Sequence, residues 1–119
     1  MKLLLEKLPA GLQNQSQTLA QCLEAMNRAL PVREVYLFGS YARGEARSDS
    51  DVDLCIVADG AADQSEAAKQ WRRAMRPLWP RPAFTLLPIS PGRLAEKRAN
   101  RDHFFQTVLT EGVLIATEN

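Results

Sequence analysis

The chain has 119 residues, of which 45% are hydrophobic, and this is enough for one domain with an apolar core, so residues 1–119 are predicted to form a single domain. A formal charge of +1 gives no electrostatic basis for direct nucleic-acid binding. No segment resembles a membrane span or a signal peptide, which predicts a cytoplasmic protein without a membrane partner. Cys22 and Cys55 lie on apolar faces without metal-ligand spacing, so both are expected to be buried free thiols.

The first predicted element is an amphipathic helix between Pro9 and Pro31. Its apolar residues recur at spacings of three, four and seven, at Leu12, Leu19, Leu23, Met26 and Leu30. We expect this helix to pack on the core and to carry no chemistry. The preceding residues, Lys2 to Leu8, could form either a separate turn or an arm that contacts a partner.

A buried strand is predicted from Val32 to Phe38, because this run is rich in β-branched and aromatic residues. The strand would deliver Gly39 and Ser40 to an edge of the sheet. A glycine that allows close backbone approach, a hydroxyl group and the amides of a short helix form a concave site of the kind that holds phosphate. The short helix is predicted over Tyr41 to Arg47, with Gly44 in the left-handed conformation at its end.

Two carboxylates open the next predicted strand. Asp51 and Asp53 precede the apolar run Leu54–Val57, and the strand period of two places both on one face, with Val52 on the other. Oxygen ligands in this arrangement suit magnesium, which proteins hold by one or two carboxylates together with substrate phosphates. A phosphate site beside paired carboxylates indicates metal-assisted phosphoryl or nucleotidyl transfer.

Arg43 and Arg47 follow the predicted phosphate loop and are expected to lie near a bound nucleotide. Arg43 could form an ion pair with Glu45 or Asp49 that shapes the loop, or it could contact a phosphate. These two roles are compatible, and both remain open.

A second amphipathic helix, with apolar residues from Ala67 to Leu78, is predicted to cover the sheet. The segment Trp71–Pro82 mixes arginine with tryptophan and ends in three prolines. Its arginines are most simply the solvated face of the helix. Since the total charge is almost neutral, we expect this segment to contact a protein partner rather than nucleic acid.

The rest of the chain predicts a strand, a helix and a short closing strand. The strand runs from Ala83 to Ile89, and Ser90-Pro91 then begins a helix with Ser90 as its cap. The apolar stripe Phe104–Leu109 follows, and Glu111-Gly112 ends the helix before the strand Val113–Ala116. These elements predict an α/β (α+β) fold in which helices flank a small mixed β-sheet.

The spacing of the Gly-Ser and Asp-x-Asp pairs resembles a known signature. Gly39-Ser40, ten residues and then Asp51-Val52-Asp53 are similar to the motif of the DNA polymerase beta nucleotidyltransferase superfamily. The surrounding residues 39–44 and 50–54 resemble its minimal nucleotidyltransferase (MNT) branch. The resemblance implies the nucleotidyltransferase fold, with Gly39 and Ser40 on the nucleotide phosphates and Asp51 and Asp53 as catalytic, magnesium-binding residues.

The resemblance also implies a third carboxylate on a later strand, and here the sequence departs from the pattern. The expected aspartate position falls on Thr85, within residues 84–87. A threonine hydroxyl is neither an anionic metal ligand nor a competent base near neutral pH, so catalysis could be weakened. Asp49 is a possible substitute, because it would share a face with Asp51 and Asp53 if the strand began early.

The activity that the resemblance implies is magnesium-dependent transfer of adenylate from ATP. Larger members of the superfamily carry an added acceptor-binding domain, for which this chain has no room, so a partner could bring the acceptor. In the MNT branch that partner is a helical HEPN-domain toxin, modified on a tyrosine, which predicts an antitoxin in a hetero-oligomer. Two alternatives remain open: an impaired antitoxin that neutralises its partner by binding alone, and a small-molecule nucleotidyltransferase.

Overall fold

The computed structural model describes residues 1–118 as a five-stranded β-sheet flanked by helices, which confirms the predicted fold class. The strands are β1 (Lys2–Leu3), β2 (Glu34–Phe38), β3 (Val52–Val57), β4 (Phe84–Ile89) and β5 (Val113–Thr117). The helices are α1 (Ser16–Ala29), α2 (Gly39–Ala42), α3 (Gln64–Met75), α4 (Pro91–Ala99) and α5 (His103–Glu111). Short 3₁₀ turns are formed by Leu5–Lys7, Ala10–Gln15 and Asp59–Ala62.

The sheet is mixed, with the strand order β1-β5-β2-β3-β4. β2 runs antiparallel to both β3 and β5, whereas β3 and β4 are parallel. Parallel neighbours need a crossover connection, and α3 supplies it between β3 and β4. As a result, β2 ends at the same edge of the sheet at which β3 and β4 begin.

Both faces of the sheet are covered, and β3 is buried between them. On one face, Leu54 and Ile56 join a core with α1 and α3. Trp71 belongs to this core, and its indole Nε1 donates a hydrogen bond to the carbonyl oxygen of Leu30 at 3.1 Å. On the other face, Cys55 packs in a smaller cluster with residues of α4 and α5. The first residues of β3 therefore lie at the boundary between core and solvent.

The two cysteines are buried free thiols, as predicted. Burial raises the pKa of the Cys55 thiol to about 12, so this group is protonated near neutral pH. Burial also raises the pKa of the Cys22 thiol. In residues 1–118, no helix is both long enough and apolar enough to cross a bilayer.

The N-terminal segment contains a separate turn, one of its two predicted structures, at Leu5–Lys7, but it begins with a strand that was not predicted. Lys2 and Leu3 form an edge strand that pairs with Thr117 and Ala116 of β5. A strand of two residues has no periodicity to detect, and its pairing depends on the far end of the chain. The first long helix begins only at Ser16, because residues 10–15 form a 3₁₀ turn.

The predicted final helix is in fact two helices. Arg101 has a φ of +54°, a conformation that breaks the helix between Ala99 and His103. Asp102 then caps α5, because its Oδ1 accepts a hydrogen bond from the Phe105 amide at 3.1 Å. The short helix predicted over Tyr41 to Arg47 is also different, since α2 covers only Gly39–Ala42.

Candidate active site

The candidate site lies at the edge where β2 ends and β3 and β4 begin. Phe38 is paired with Asp53, and Asp53 is paired with Thr85. Because paired residues on neighbouring strands project to the same face, these three side chains share one face of the sheet. Gly39 follows Phe38 directly, so the structure brings the predicted phosphate loop and carboxylates together.

Gly39 makes the closest approach in this site. Its φ is +76°, a left-handed conformation that glycine adopts without strain. A Cβ atom at this position would lie 2.9 Å from Cγ of Asp53 and would collide with Oδ2 of the same carboxylate. The backbone of the predicted phosphate loop therefore lies directly against Asp53, at a distance that only glycine permits.

The single turn of α2 starts at Gly39 and carries Ser40. The amide of Arg43 donates to the carbonyl oxygen of Gly39 at 3.1 Å and closes the turn. Gly44, with a φ of +72°, ends it in the left-handed conformation that the sequence predicted. The Glu45 amide then donates to the Ser40 carbonyl oxygen at 2.9 Å, which fixes the loop after the turn.

Asp51 and Asp53 lie on the same side of β3, opposite the buried Val52. The hydroxyl of Thr85 donates a hydrogen bond to Oδ2 of Asp51 at 3.2 Å. Burial, the largest cause, raises the pKa of Asp53, and the Asp51 charge adds to this effect. The Thr85 hydroxyl, whose one proton can serve either Asp51 or Asp53, and the charge of Arg43 act in the opposite direction without cancelling it.

This donor set fits one magnesium ion that is shared with a substrate. Asp51 and Asp53 supply two carboxylates whose negative charges oppose each other, and the charge of Asp51 adds to the effect of burial in raising the pKa of Asp53. Among residues 1–118, no group of three or more carboxylate, histidine or cysteine side chains is placed to hold a metal ion. Magnesium commonly takes one or two carboxylates and completes its octahedron with phosphate oxygens and water.

Asp49 is not brought to the carboxylate pair. β3 begins at Val52, so the strand alternation that would align Asp49 with the pair does not extend that far. Asp49 lies in a turn in which the Ser50 amide donates to the Arg47 carbonyl oxygen at 3.0 Å. It lines a cavity of about 460 Å³, together with Tyr41 of the phosphate loop and Arg81.

Arg43 forms ion pairs on the outer side of the site. Its Nε lies 3.2 Å from Oε2 of Glu45, and its Nη1 lies 3.5 Å from Oε2 of Glu111. The pairing with Glu45 was one of the roles considered for Arg43. The pairing with Glu111 had no signal in the sequence, because α5 reaches α2 only through the tertiary fold.

With the fold and the site in place, the class of protein follows: the chain belongs to the nucleotidyltransferase domain family, which matches it over residues 19–111. This range contains every site residue described above. Protein adenylyltransferase MntA of Thermococcus cleftensis is 64% identical over 25 residues, which are 21% of this chain. The match spans only 25% of the length of that relative. The family match confirms the predicted resemblance to nucleotidyltransferases, and the short match to MntA agrees with the MNT branch.

Two solved structures share the fold. A Sulfolobus solfataricus protein assigned as a nucleotidyltransferase aligns with a TM-score of 0.59 at 21% identity, over 86% of this chain and 79% of its own. A toxin–antitoxin structure solved with AMP-PNP aligns with a TM-score of 0.52 at 23% identity, over 84% of this chain and 73% of the matched one. At these identities the similarity concerns the fold alone.

The contact between Gly39 and Asp53 can be tested against a matched glycine. Gly44 has a similar φ, but a Cβ atom there would meet nothing within 4 Å. Gly44→Ala should lower the free energy of unfolding by about 1 kcal/mol, the cost of a left-handed alanine. Gly39→Ala should cost about 1–3 kcal/mol more, because the Asp53 side chain must move. Urea-induced unfolding measures both values, and equal losses would contradict the close approach.

Proposed function

We propose that this chain is a magnesium-dependent nucleotidyltransferase that transfers adenylate from ATP to a protein acceptor, as an MNT-type antitoxin acting on a HEPN-type toxin. The observation that carries the proposal is the meeting of Gly39, Asp51 and Asp53 at one edge of the sheet. Family membership and the adenylyltransferase named among the relatives support the same reaction class.

Residues of the short loop would bind the nucleotide phosphates. The first amides of the α2 turn have no acceptor within the helix. Together with the Ser40 hydroxyl they offer donors to the terminal phosphates. Arg43, whose side chain is 41% exposed, can keep its two carboxylate partners and still present N–H groups to a phosphate.

Asp51 and Asp53 would hold magnesium together with the phosphates. When bound, the ion would offset the mutual repulsion of these carboxylates and stabilise the negative charge that develops on the transferring phosphate. Partial burial of Asp53 favours a nearby cation, because loss of contact with water makes a carboxylate harder to ionise.

Thr85 determines how well the acceptor can be activated. Its hydroxyl donates to Asp51 and offers no negative charge of its own. The acceptor hydroxyl would therefore lose its proton without help from a third carboxylate, and we propose that turnover is slow. The same observation favours the second candidate function, an antitoxin that binds its partner without modifying it.

A protein partner is supported by the surface before β4. The Trp79 side chain is 81% exposed in the segment that joins α3 to β4, and Arg73 and Arg76 lie close to it in sequence. In the part of the chain that the structure describes, neither arginine forms an ion pair. Exposed tryptophan and arginine are residues that anchor protein interfaces. The toxin–antitoxin structure among the fold neighbours suggests the class of partner.

The metal site predicts that nucleotide binding depends on magnesium. Asp51→Asn and Asp53→Asn should each remove the magnesium-dependent part of ATP binding. Each change removes one of the two anionic protein ligands and half of the negative charge that the protein offers the ion. Asp49→Asn is the matched control and should retain it. Titration calorimetry with and without EDTA measures the difference. Unchanged affinity in both site variants would refute the assignment.

The proposed partner predicts a stable complex with the protein encoded by the neighbouring gene. Co-expression followed by size-exclusion chromatography should give one peak that contains both chains, and Trp79→Ala should weaken the complex. Separate elution of the wild-type chains, both with and without magnesium and ATP, would count against an antitoxin role.

Thr85→Asp separates slow transfer from binding alone. The added carboxylate lies beside Asp51 and can accept a proton, so it should raise the rate of adenylate transfer to the copurified partner by on the order of 100-fold. Thr85→Val, which has a similar shape and no charge, should not. Release of pyrophosphate measures both rates. If Thr85→Asp changes neither the rate nor magnesium affinity while the wild type is active, Thr85 has no part in the chemistry.

A further inference from the structure

Phe104 is an exposed aromatic side chain beside the candidate site. Of the described residues 1–118, only Phe104 and Trp79 are large hydrophobic residues with high exposure, and Phe104 is 52% exposed. The sequence placed Phe104 in the apolar stripe of the last helix, in which Phe105 and Val108 are buried and Leu109 is half-buried. Packing in the core therefore does not explain why a phenylalanine stands at position 104.

The ring of Phe104 is held in place on two sides. It packs edge-to-face against Phe38, with ring centroids 6.2 Å apart, and against Phe105 at 5.3 Å. The backbone below it is fixed as well, because Asp102 caps α5 and its Oδ2 lies 3.3 Å from Nζ of Lys97. Phe104 is therefore an ordered aromatic ring, and about half of its surface is open to solvent.

Phe104 reaches the site through Phe38. Phe38 is paired with Asp53, so their side chains lie side by side on one face, about 5 Å apart at Cβ. The ring of Phe104 is one further aromatic contact away, which places it roughly 10 Å from Asp53. A nucleoside triphosphate whose phosphates lie at Gly39 and Asp53 has its base at a comparable distance from them.

We propose that Phe104 is the platform on which the base of the bound nucleotide stacks. This inference rests on the proposed nucleotide binding and adds to it the residue that holds the base. An aromatic ring offers a base its π-face without hydrogen-bond donors or acceptors, so stacking selects weakly among bases. The larger rings of purines gain more from the contact. The site should therefore take ATP and GTP with similar affinity and bind CTP less well.

Trp79 fits this role less well. No aromatic partner holds its ring within the described chain, and it lies in the connecting segment before β4. Phe104, by contrast, belongs to a helix that is tied to the phosphate loop, since Glu111 of α5 contacts Arg43 at 3.5 Å.

The inference is tested by comparing ligands with and without a base. The purified full-length chain is titrated with the magnesium complexes of ATP, GTP, CTP and inorganic tripolyphosphate. Phe104→Ala should weaken ATP and GTP by about ten-fold or more, the usual loss when a stacked aromatic residue is removed. Tripolyphosphate affinity should not change. Phe104→Tyr should retain ATP binding, and Gln106→Ala, an exposed position on the same helix, should behave as the wild type.

Each other outcome counts against stacking. Normal ATP affinity in Phe104→Ala would overturn the inference and leave nucleotide binding intact. Equal losses for ATP and tripolyphosphate would mean that Phe104 supports the phosphate loop rather than the base. If the wild-type chain binds neither ATP nor tripolyphosphate, the proposed function fails and the inference fails with it. Thermal unfolding of each variant shows that changes in affinity are measured on folded protein.

Discussion

The contact between the Gly39 backbone and the Asp53 carboxylate constrains the rest of the candidate site. A left-handed φ at Gly39 lets β2 turn into α2 within one residue, and the absence of a side chain lets the loop lie against the carboxylate. The same proximity withdraws Asp53 from water and contributes to the burial that raises its pKa. The loop that would hold phosphate and the acid that would hold the cation are therefore fixed with respect to each other before any ligand binds.

This contact depends on the topology of the sheet. An antiparallel pair places the end of β2 beside the start of β3, and a parallel pair places the start of β4 beside both. Beyond Asp53, β3 is buried on both faces, so its polar residues are confined to the start of the strand. The edge thus gathers a backbone loop, two carboxylates and a hydroxyl, while the core below them fixes the register through Leu54 and Cys55.

The parts that the sequence predicted correctly are those governed by local rules. Strand periodicity placed Asp51 and Asp53 on one face, and turn chemistry gave the left-handed Gly44. The parts it missed depend on distant partners or on single backbone angles. β1 exists only because β5 offers it an edge, and the break between α4 and α5 turns on one positive φ at Arg101, a residue type that carries no such signal. The exposure of Phe104 likewise required the tertiary structure.

Under the proposed function, Thr85 would stabilise the site without ligand at a cost to catalysis. Two carboxylates already oppose each other at this edge, and the pKa of Asp53 is raised in part for that reason. A hydroxyl at position 85 donates a hydrogen bond to Asp51, whereas a third carboxylate would add repulsion and force one group to stay protonated until a cation arrived. The hydroxyl therefore suits a chain that is folded without a cation, and in the proposed reaction no third carboxylate would accept a proton from the acceptor. A hydroxyl in place of a carboxylate at position 85 would be tolerated best in two cases. Either the acceptor gives up its proton readily, or the partner only needs to be bound.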